Sequence, residues 1–410
     1  MNHFSHDNRS NEKMPVCKRE MFKPPIFKPP IKPFTMKMKS LPLFFLIFLW
    51  SASAFAQRHL YNVDRIELHD DMLYHSVRRI IRLPSVNGLA PVKCDFHIHT
   101  VFSDGDVWPT ARVKEAWQDG LDAISITDHT SAVPSKQNVT GGPNTSYELA
   151  FPEAERMGLI LIQGTEITRN KPEGGHLNAI FITDAMKTLD IPTEDAVKEA
   201  VKQGGYIIWN HPGWAIDSCY MFDVNKRLIE TGNIHAVEVF NEAEWYPRAL
   251  SWSRDFKLAP TAATDIHYLT NSFYRISEKN IRPMTIVFAR DKTQDAIKDA
   301  LFKRNTLAFA NEMLAGDSRL LTDFFFAAVR VQKITTTFDR DKKAYNHYLV
   351  TNPYDVPFVL LFENGTKVTL RANSEIKFVM PDEQKGLKVN LLNLHTYEFE
   401  TLEVTIQLPR

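Results

Sequence analysis

Two histidines one residue apart, His97 and His99, close an apolar run, Val92 to Phe96, and precede the polar turn Ser103-Asp104-Gly105. Neutral imidazoles delivered by one short stretch of backbone are metal ligands by type and spacing. The same residue types recur further on, in Thr127-Asp128-His129, Gly164-Thr165-Glu166, Asn210-His211-Pro212-Gly213 and Thr264-Asp265-Ile266-His267, with His176 after Gly174-Gly175. Each has a bland explanation when taken alone, such as an aspartate capping a turn or a histidine satisfied in a core. Five sites in series are not explained that way. The three cysteines, Cys17, Cys94 and Cys219, form no Cys-x-x-Cys pair, so a metal centre here must be built from histidine and carboxylate.

The elements that must position these residues alternate. Short apolar strand candidates (Val92–Phe96, Leu121–Ile126, Leu159–Ile162, Leu177–Ile182, Tyr206–Trp209, Ala236–Phe240, Pro260–Ala263) are separated by helical patterns, the first opened by Pro109 and closed by Gly120. That alternation predicts an α/β domain over 92–316 with a largely parallel sheet, open or closed into a barrel. Chemistry in such domains sits at the carboxyl ends of strands, where the histidines and carboxylates fall. From 317 to 410 the texture changes to strand candidates, Leu320–Val331 first, separated by Asn-Pro, Asn-Gly and Pro-Asp turns, which predicts a small all-β sandwich-like C-terminal domain.

Before the α/β domain, residues 57–91 are expected to be a helical lead-in. Residues 1–56 read as an extension without a fold, consistent with a start codon placed too early, followed by a secretory signal peptide. The basic Met36-Lys-Met-Lys stretch, the apolar run Leu41–Trp50 and Ala54-Phe55-Ala56 predict cleavage after Ala56. A run of that length falls short of the ~20 residues that span a bilayer, so no stable membrane anchor is expected after cleavage. The expected location is the periplasm or the extracellular space. Across the chain, 49 Lys and Arg balance 49 Asp and Glu, which argues against a nucleic-acid-coating surface. Nothing in the sequence sets the oligomeric state.

In order and in wording, Phe96-His97-Ile98-His99-Thr100, Ser103-Asp104-Gly105, Ile126-Thr127-Asp128-His129, Gly164-Thr165-Glu166, Asn210-His211-Pro212-Gly213 and Asp265-Ile266-His267 resemble the motifs of the PHP (polymerase and histidinol phosphatase) superfamily of metal-dependent phosphoesterases. The likeness spans roughly 92–316, and an exported chain with a C-terminal β-module looks most like the Sb-PDE type of phosphodiesterase. The resemblance implies a distorted seven-stranded β/α barrel holding two or three divalent ions (Zn, Mn or Fe). It places His97, His99, Glu166 and Asp265 around one metal, Glu166, His176 and His211 around a second, and Asp104, His129 and His267 around a third. The family often has histidine where this chain has Asp104, and a carboxylate there favours manganese or iron.

The function this implies is hydrolysis of phosphodiesters by a metal-bridging hydroxide attacking phosphorus, on a small anionic phosphate-ester substrate. Glu166, His176, His211 and Asp265 are the expected catalytic residues, with Arg169 clamping phosphate oxygens. A phosphomonoesterase or another metal-dependent hydrolase on the same site, and a non-catalytic metal-containing binding protein, are the alternatives. Glu238 is open between contacting substrate, supporting a ligand histidine and closing a barrel-end network. Trp108, Trp214, Trp245 and Tyr246 are expected to pack against neighbouring helices rather than serve a substrate.

Overall fold

A computed structural model describes residues 77–131, 138–216, 218–274, 276 and 280–410. The expected signal segment and most of the expected lead-in lie outside these residues. The described part of the lead-in is not helical: it is extended, with a tight turn that pairs Val86 with Leu89 through Asn87 and Gly88, both at positive φ.

Strands β1 (Ala90–Asp95), β2 (Ala123–Ile126), β3 (Ile160–Thr168), β4 (His176–Ile180), β5 (Tyr206–Trp209), β6 (Ala236–Asn241), β7 (Glu244–Trp245) and β8 (Ala259–Ala263) carry the site. β2, β5, β6 and β8 are buried along their whole length, as expected of strands covered on both faces. The helix Pro109–Gln118 starts at a proline, whose missing N–H no helix needs at that position. The helix Thr145–Met157 ends on Gly158 in the left-handed conformation.

The sheet is mixed. β1, β2 and β3 run parallel, β4 is antiparallel to both β3 and β5, and β5, β6 and β8 are parallel again. The strand after Leu159 is therefore longer than its apolar run suggests. It continues to Thr168 and turns back through Gly174 and Gly175, at φ 114° and 71°, so Glu166 lies inside a strand rather than beyond one.

β1 and β8 share no ladder. Just past their ends a single parallel bridge joins Ile98 to Ile266, with Asp265 N donating to His97 O at 2.9 Å and His99 N to Ile266 O at 3.2 Å. That bridge sets the first histidine pair beside Asp265 and His267. On the outer side of β1 come β9 (Met284–Ala289), β10 (Thr306–Ala310) and β11 (Met313–Gly316), all antiparallel. The ladders do not close a full barrel; between β8 and β9 the link is the Thr285 hydroxyl, which accepts from Ala262 N at 3.0 Å and donates to Ala262 O at 2.9 Å.

The C-terminal strands are β12 (Arg330–Phe338), β13 (Ala344–Asn352), β14 (Phe358–Phe362), β15 (Lys367–Leu370), β16 (Ser374–Pro381), β17 (Gly386–His395) and β18 (Thr401–Gln407). β12, β13 and β16 form their own sheet, while β17 pairs in parallel with β11 and extends the main one. The expected strand at Leu320–Val331 is mostly helix, Ser318–Ala328. Asp317 caps it by accepting from Arg319 N and Leu320 N, and Leu321, Phe324, Phe325 and Ala328 recur at helical spacing on the buried face.

Candidate metal centre

The carboxyl ends of β1, β2, β5 and β8 converge on the middle of β3, and all nine ligand candidates arrive there. Their donor atoms fall into four overlapping groups, each within 4.8 Å: His99, Asp104, His129 and His267; His97, Glu166 and His211; His97, His99 and Asp265; and His129, Glu166 and His176. Asp265 Oδ1 stands 3.1 Å from His97 Nε2 and 2.9 Å from His99 Nε2. Glu166 Oε1 stands 3.3 Å from His97 Nε2 and 3.5 Å from His211 Nε2. Asp104 lies 3.2 Å from the Nε2 atoms of both His129 and His267.

The grouping differs from the expected one. Glu166 is absent from the group of His97, His99 and Asp265, His99 also joins Asp104, His129 and His267, and Glu166 does not hold His176 and His211 in a single group; His211 joins His97, and His176 joins His129. The cause is the β3–β4 hairpin, which sets His176 opposite Thr168, the residue whose hydroxyl meets His129 Nδ1 at 2.7 Å.

Neighbouring groups fix which ring nitrogen faces inward. Glu238 Oε1 sits 2.8 Å from His97 Nδ1, and its other oxygen accepts from His211 N and Asn241 Nδ2. Ser103 Oγ donates to Asp128 Oδ1 at 2.7 Å and so is left to accept from His99 Nδ1, 3.2 Å away. His267 Nδ1 donates to Asp265 O. In all three histidines Nδ1 is engaged by its neighbour and Nε2 faces the cluster, the orientation of a metal-ligating imidazole. Asp128 is held in turn by Thr100 N and Oγ1, at 2.6 and 2.7 Å. Support of a ligand histidine is one of the readings open for Glu238, whereas the role of Asp128, which acts on His99 through Ser103, is not readable from spacing. Two ligand candidates, His211 at φ 24° and Asp265 at φ 48°, occupy the left-handed region, where a non-glycine residue is strained.

Arg169 does not reach the cluster through any described hydrogen bond: Nη1 donates to Thr168 O and Nη2 to Ile191 O. Lys171 and Arg112 do reach ligand residues, through their carbonyls: Lys171 Nζ donates to His211 O at 3.1 Å and Arg112 Nε to His99 O at 2.8 Å.

A PHP domain model matches residues 95–208. A two-domain protein from Bacteroides vulgatus, containing a predicted PHP-like metal-dependent phosphoesterase, is 35% identical over 82% of this chain and 100% of that one, with a TM-score of 0.76. This chain belongs to the PHP-like metal-dependent phosphoesterases. Weaker likenesses are to a metal-dependent phosphoesterase from Bifidobacterium adolescentis (17% identity, 53% of this chain and 98% of that one, TM-score 0.37) and an amidohydrolase from Chromobacterium violaceum (15%, 44% and 89%, 0.36). A search of the curated proteins finds no match.

The PHP site fits divalent cations on two physical counts. Six buried atoms, His97 Nε2, His99 Nε2, Asp104 Oδ1, Glu166 Oε2, His211 Nδ1 and Asp265 Oδ1, have no hydrogen-bond partner. Buried polar atoms without partners are costly, and five of these six point into the ligand groups. The second count is charge. Burial alone would raise Glu166, Asp104 and Asp265, yet the surrounding imidazoles hold all three below the usual carboxylate range. Conversely, burial pulls His97 and His129 down, but the carboxylates outweigh it and lift His97 well above its ordinary value and His129 to about 10. The cluster demands positive charge, and divalent ions supply it without protons. Burial and the His129 charge press His99 to about 4, as suits a neutral ligand. Access is from the side of Asp104, His267 and His176, whose side chains are the most exposed of the nine, at 31%, 24% and 13%.

Proposed function

We infer that the protein hydrolyses small anionic phosphodiesters at this centre. The observation that carries the reading is the set of unpartnered ligand atoms around Glu166 and Asp265, in a chain whose family is metal-dependent phosphoesterase. A neutral imidazole has one lone pair to give, so the overlapping groups divide their histidines: His97, His99 and Asp265 would hold one ion, Glu166 and His211 would contribute to another, and Asp104, His129 and His267 to a third, with His176 beside Glu166. Bound there, two or three divalent ions lower the pKa of water towards neutrality and offset charge building on phosphorus.

The residues of the chain supply the rest. Glu238 and the Ser103–Asp128 pair engage Nδ1 of His97 and His99 and so orient both rings with Nε2 towards the cluster. Asn210 Nδ2, 2.7 Å from Glu166 Oε1, holds the carboxylate shared by two groups. The diester preference rests on the scarcity of cations: Arg112, Arg169 and Lys171 all donate to backbone carbonyls, and of these Lys171 alone also lies beside the Trp214 ring at the edge of the cluster, which suits a monoanionic diester better than a dianionic monoester. With Asp104 supplying a hard oxygen donor, manganese or iron is the metal of choice for the third group, and zinc suits the histidine-rich ones.

Export completes the reading. The basic, apolar and small-residue segments from Met36 to Ala56 direct the chain to the periplasm or beyond, and N-terminal sequencing of the mature protein is expected to begin at Gln57. Among the described residues no helix is long and apolar enough to cross a membrane. The test of function is a panel of aryl phosphomonoesters, diesters and carboxyl amides run on one metal-loaded preparation with metal content measured alongside. Diester turnover that tracks metal content is expected; faster monoester or amide hydrolysis would overturn the diester assignment.

A further inference from the structure

Of the rim aromatics, Trp245 is half-buried and stacked on Phe240 with centroids 4.5 Å apart, so it packs against a strand rather than the expected helix, and Tyr246 is buried. Trp214 is 49% exposed, and its ring lies 5.4 Å from each of two ligand candidates, His176 and His211. Among the described residues its other ring contact is Lys171, whose Nζ is 5.7 Å from the indole centroid. Lys171 has no carboxylate partner within ion-pair distance among the described residues, although it is partly buried. The turn carrying Trp214 is fixed. Trp214 N donates to His211 O at 3.0 Å, and a side chain at Gly213 would collide with the Tyr246 ring, 2.9 Å from the added carbon.

An exposed indole against the edge of this centre, with an ammonium beside it that has donors left after its one bond to a carbonyl, has the parts needed to recognise an aromatic anion: one π face and one cation. We propose that Trp214 and Lys171 form a substrate subsite selecting phosphate esters that carry a planar aromatic group, the indole stacking on the ring and the ammonium meeting a phosphate oxygen. The proposal rests on the phosphoesterase reading for its site, and adds the class of substituent. Arg169, engaged by carbonyls, has no part in it.

The experiment is calorimetric and needs no turnover. Phenylphosphonate and methylphosphonate are titrated into the manganese-loaded full chain, its W214A, W214F and K171M variants, and metal content is measured for each. Phenylphosphonate is expected to bind about tenfold more tightly than methylphosphonate, the scale of one aromatic stack. That ratio should fall to near one in W214A and return in W214F, while K171M weakens both phosphonates. A ratio near one in the wild-type protein, or an undiminished ratio in W214A, overturns the subsite; W214A losing metal with its ratio intact makes Trp214 a prop for the histidines instead. Adenosine 5′-thiophosphate against ribose 5-phosphate in the same titrations shows whether the ring is a nucleobase, by a W214A-sensitive preference, or a smaller aryl group, by none. A wild-type preference without hydrolysis of any phosphate ester would remove the phosphoesterase reading and leave the subsite, whereas hydrolysis without preference would do the reverse.

Discussion

The two ends of β1 and β2 carry buried charge to opposite purposes. At the amino ends Asp122 is 7% exposed, and both its oxygens are taken: Oδ1 by Arg78 Nη2 and Lys292 Nζ, Oδ2 by Lys93 N and, at 2.6 Å, Lys93 Nζ. At the carboxyl ends Glu166 is fully buried and Asp265 nearly so, and each keeps an oxygen with no hydrogen-bond partner. Burial and clustered charge are common to both. What separates a structural ion network from a metal centre is the unfilled valence, because a network that closes on itself has nothing left for a ligand.

The largest effect that tests this contrast is Glu166→Ala. It removes the carboxylate shared by two ligand groups, and activity on an aryl phosphodiester is expected to fall at least about 1,000-fold, on the order of 4 kcal/mol in the barrier. Metal content should fall with it. Retained metal at full stoichiometry would place the shared ligand elsewhere. Asp122→Asn probes the other end. Breaking a buried pair leaves Lys93 without its counter-charge, so urea unfolding should show a loss of about 3 kcal/mol while the metal content of the folded protein stays unchanged. A drop in metal affinity in Asp122→Asn would mean that the two ends are coupled and the contrast is too sharp.

Between these lies Glu238→Gln, at a residue that belongs to none of the ligand groups yet faces His97 Nδ1. The amide can accept from the imidazole with its oxygen, but its nitrogen cannot accept from His211 N as Glu238 Oε2 does. Metal affinity measured by competition with a chelator is expected to weaken about 10- to 100-fold, the usual consequence of disturbing a ligand's supporting partner. An unchanged affinity would assign Glu238 to the barrel-end network alone.

How much of this the sequence exposed follows from which interactions are local. His97-Ile98-His99 and Asp265-Ile266-His267 are legible because two donors on one short stretch need no tertiary knowledge. Glu166 is legible as a residue type but not as part of a strand, because the polar run Gly164-Thr165-Glu166 hides a ladder whose partner, β4, is reached only through Gly174 and Gly175. The helix Ser318–Ala328 was masked by its three consecutive phenylalanines, which read as strand until Leu321, Phe324, Phe325 and Ala328 are seen to share one buried face. Trp214, expected to pack against a helix, stays exposed beside His176 and His211, while Arg169, expected at phosphate, donates to the carbonyls of Thr168 and Ile191. Which side chain meets a backbone carbonyl and which meets a ligand is decided by the fold, and no spacing encodes it.

The smallest prediction concerns a histidine at the amino ends, where the contrast predicts a neutral, satisfied ring. His235 precedes β6, accepts from Ile207 N at 2.9 Å through Nδ1 and stacks on Tyr206; burial lowers its pKa from the ordinary 6.5 to about 4. The folded-state value is the lower one, so as pH falls below 6.5 the unfolded chain takes up the proton first and stability declines, levelling off below about 4. Between pH 7 and pH 5.5 the decline should be about 1 kcal/mol. It is to be measured by urea unfolding of metal-free protein, which keeps metal release at the carboxyl ends out of the comparison, with His235→Gln as the reference that cannot titrate. A wild-type curve parallel to that of His235→Gln across this interval would show that His235 gains a compensating partner on protonation, and that the amino ends are less completely paired than Asp122 suggests.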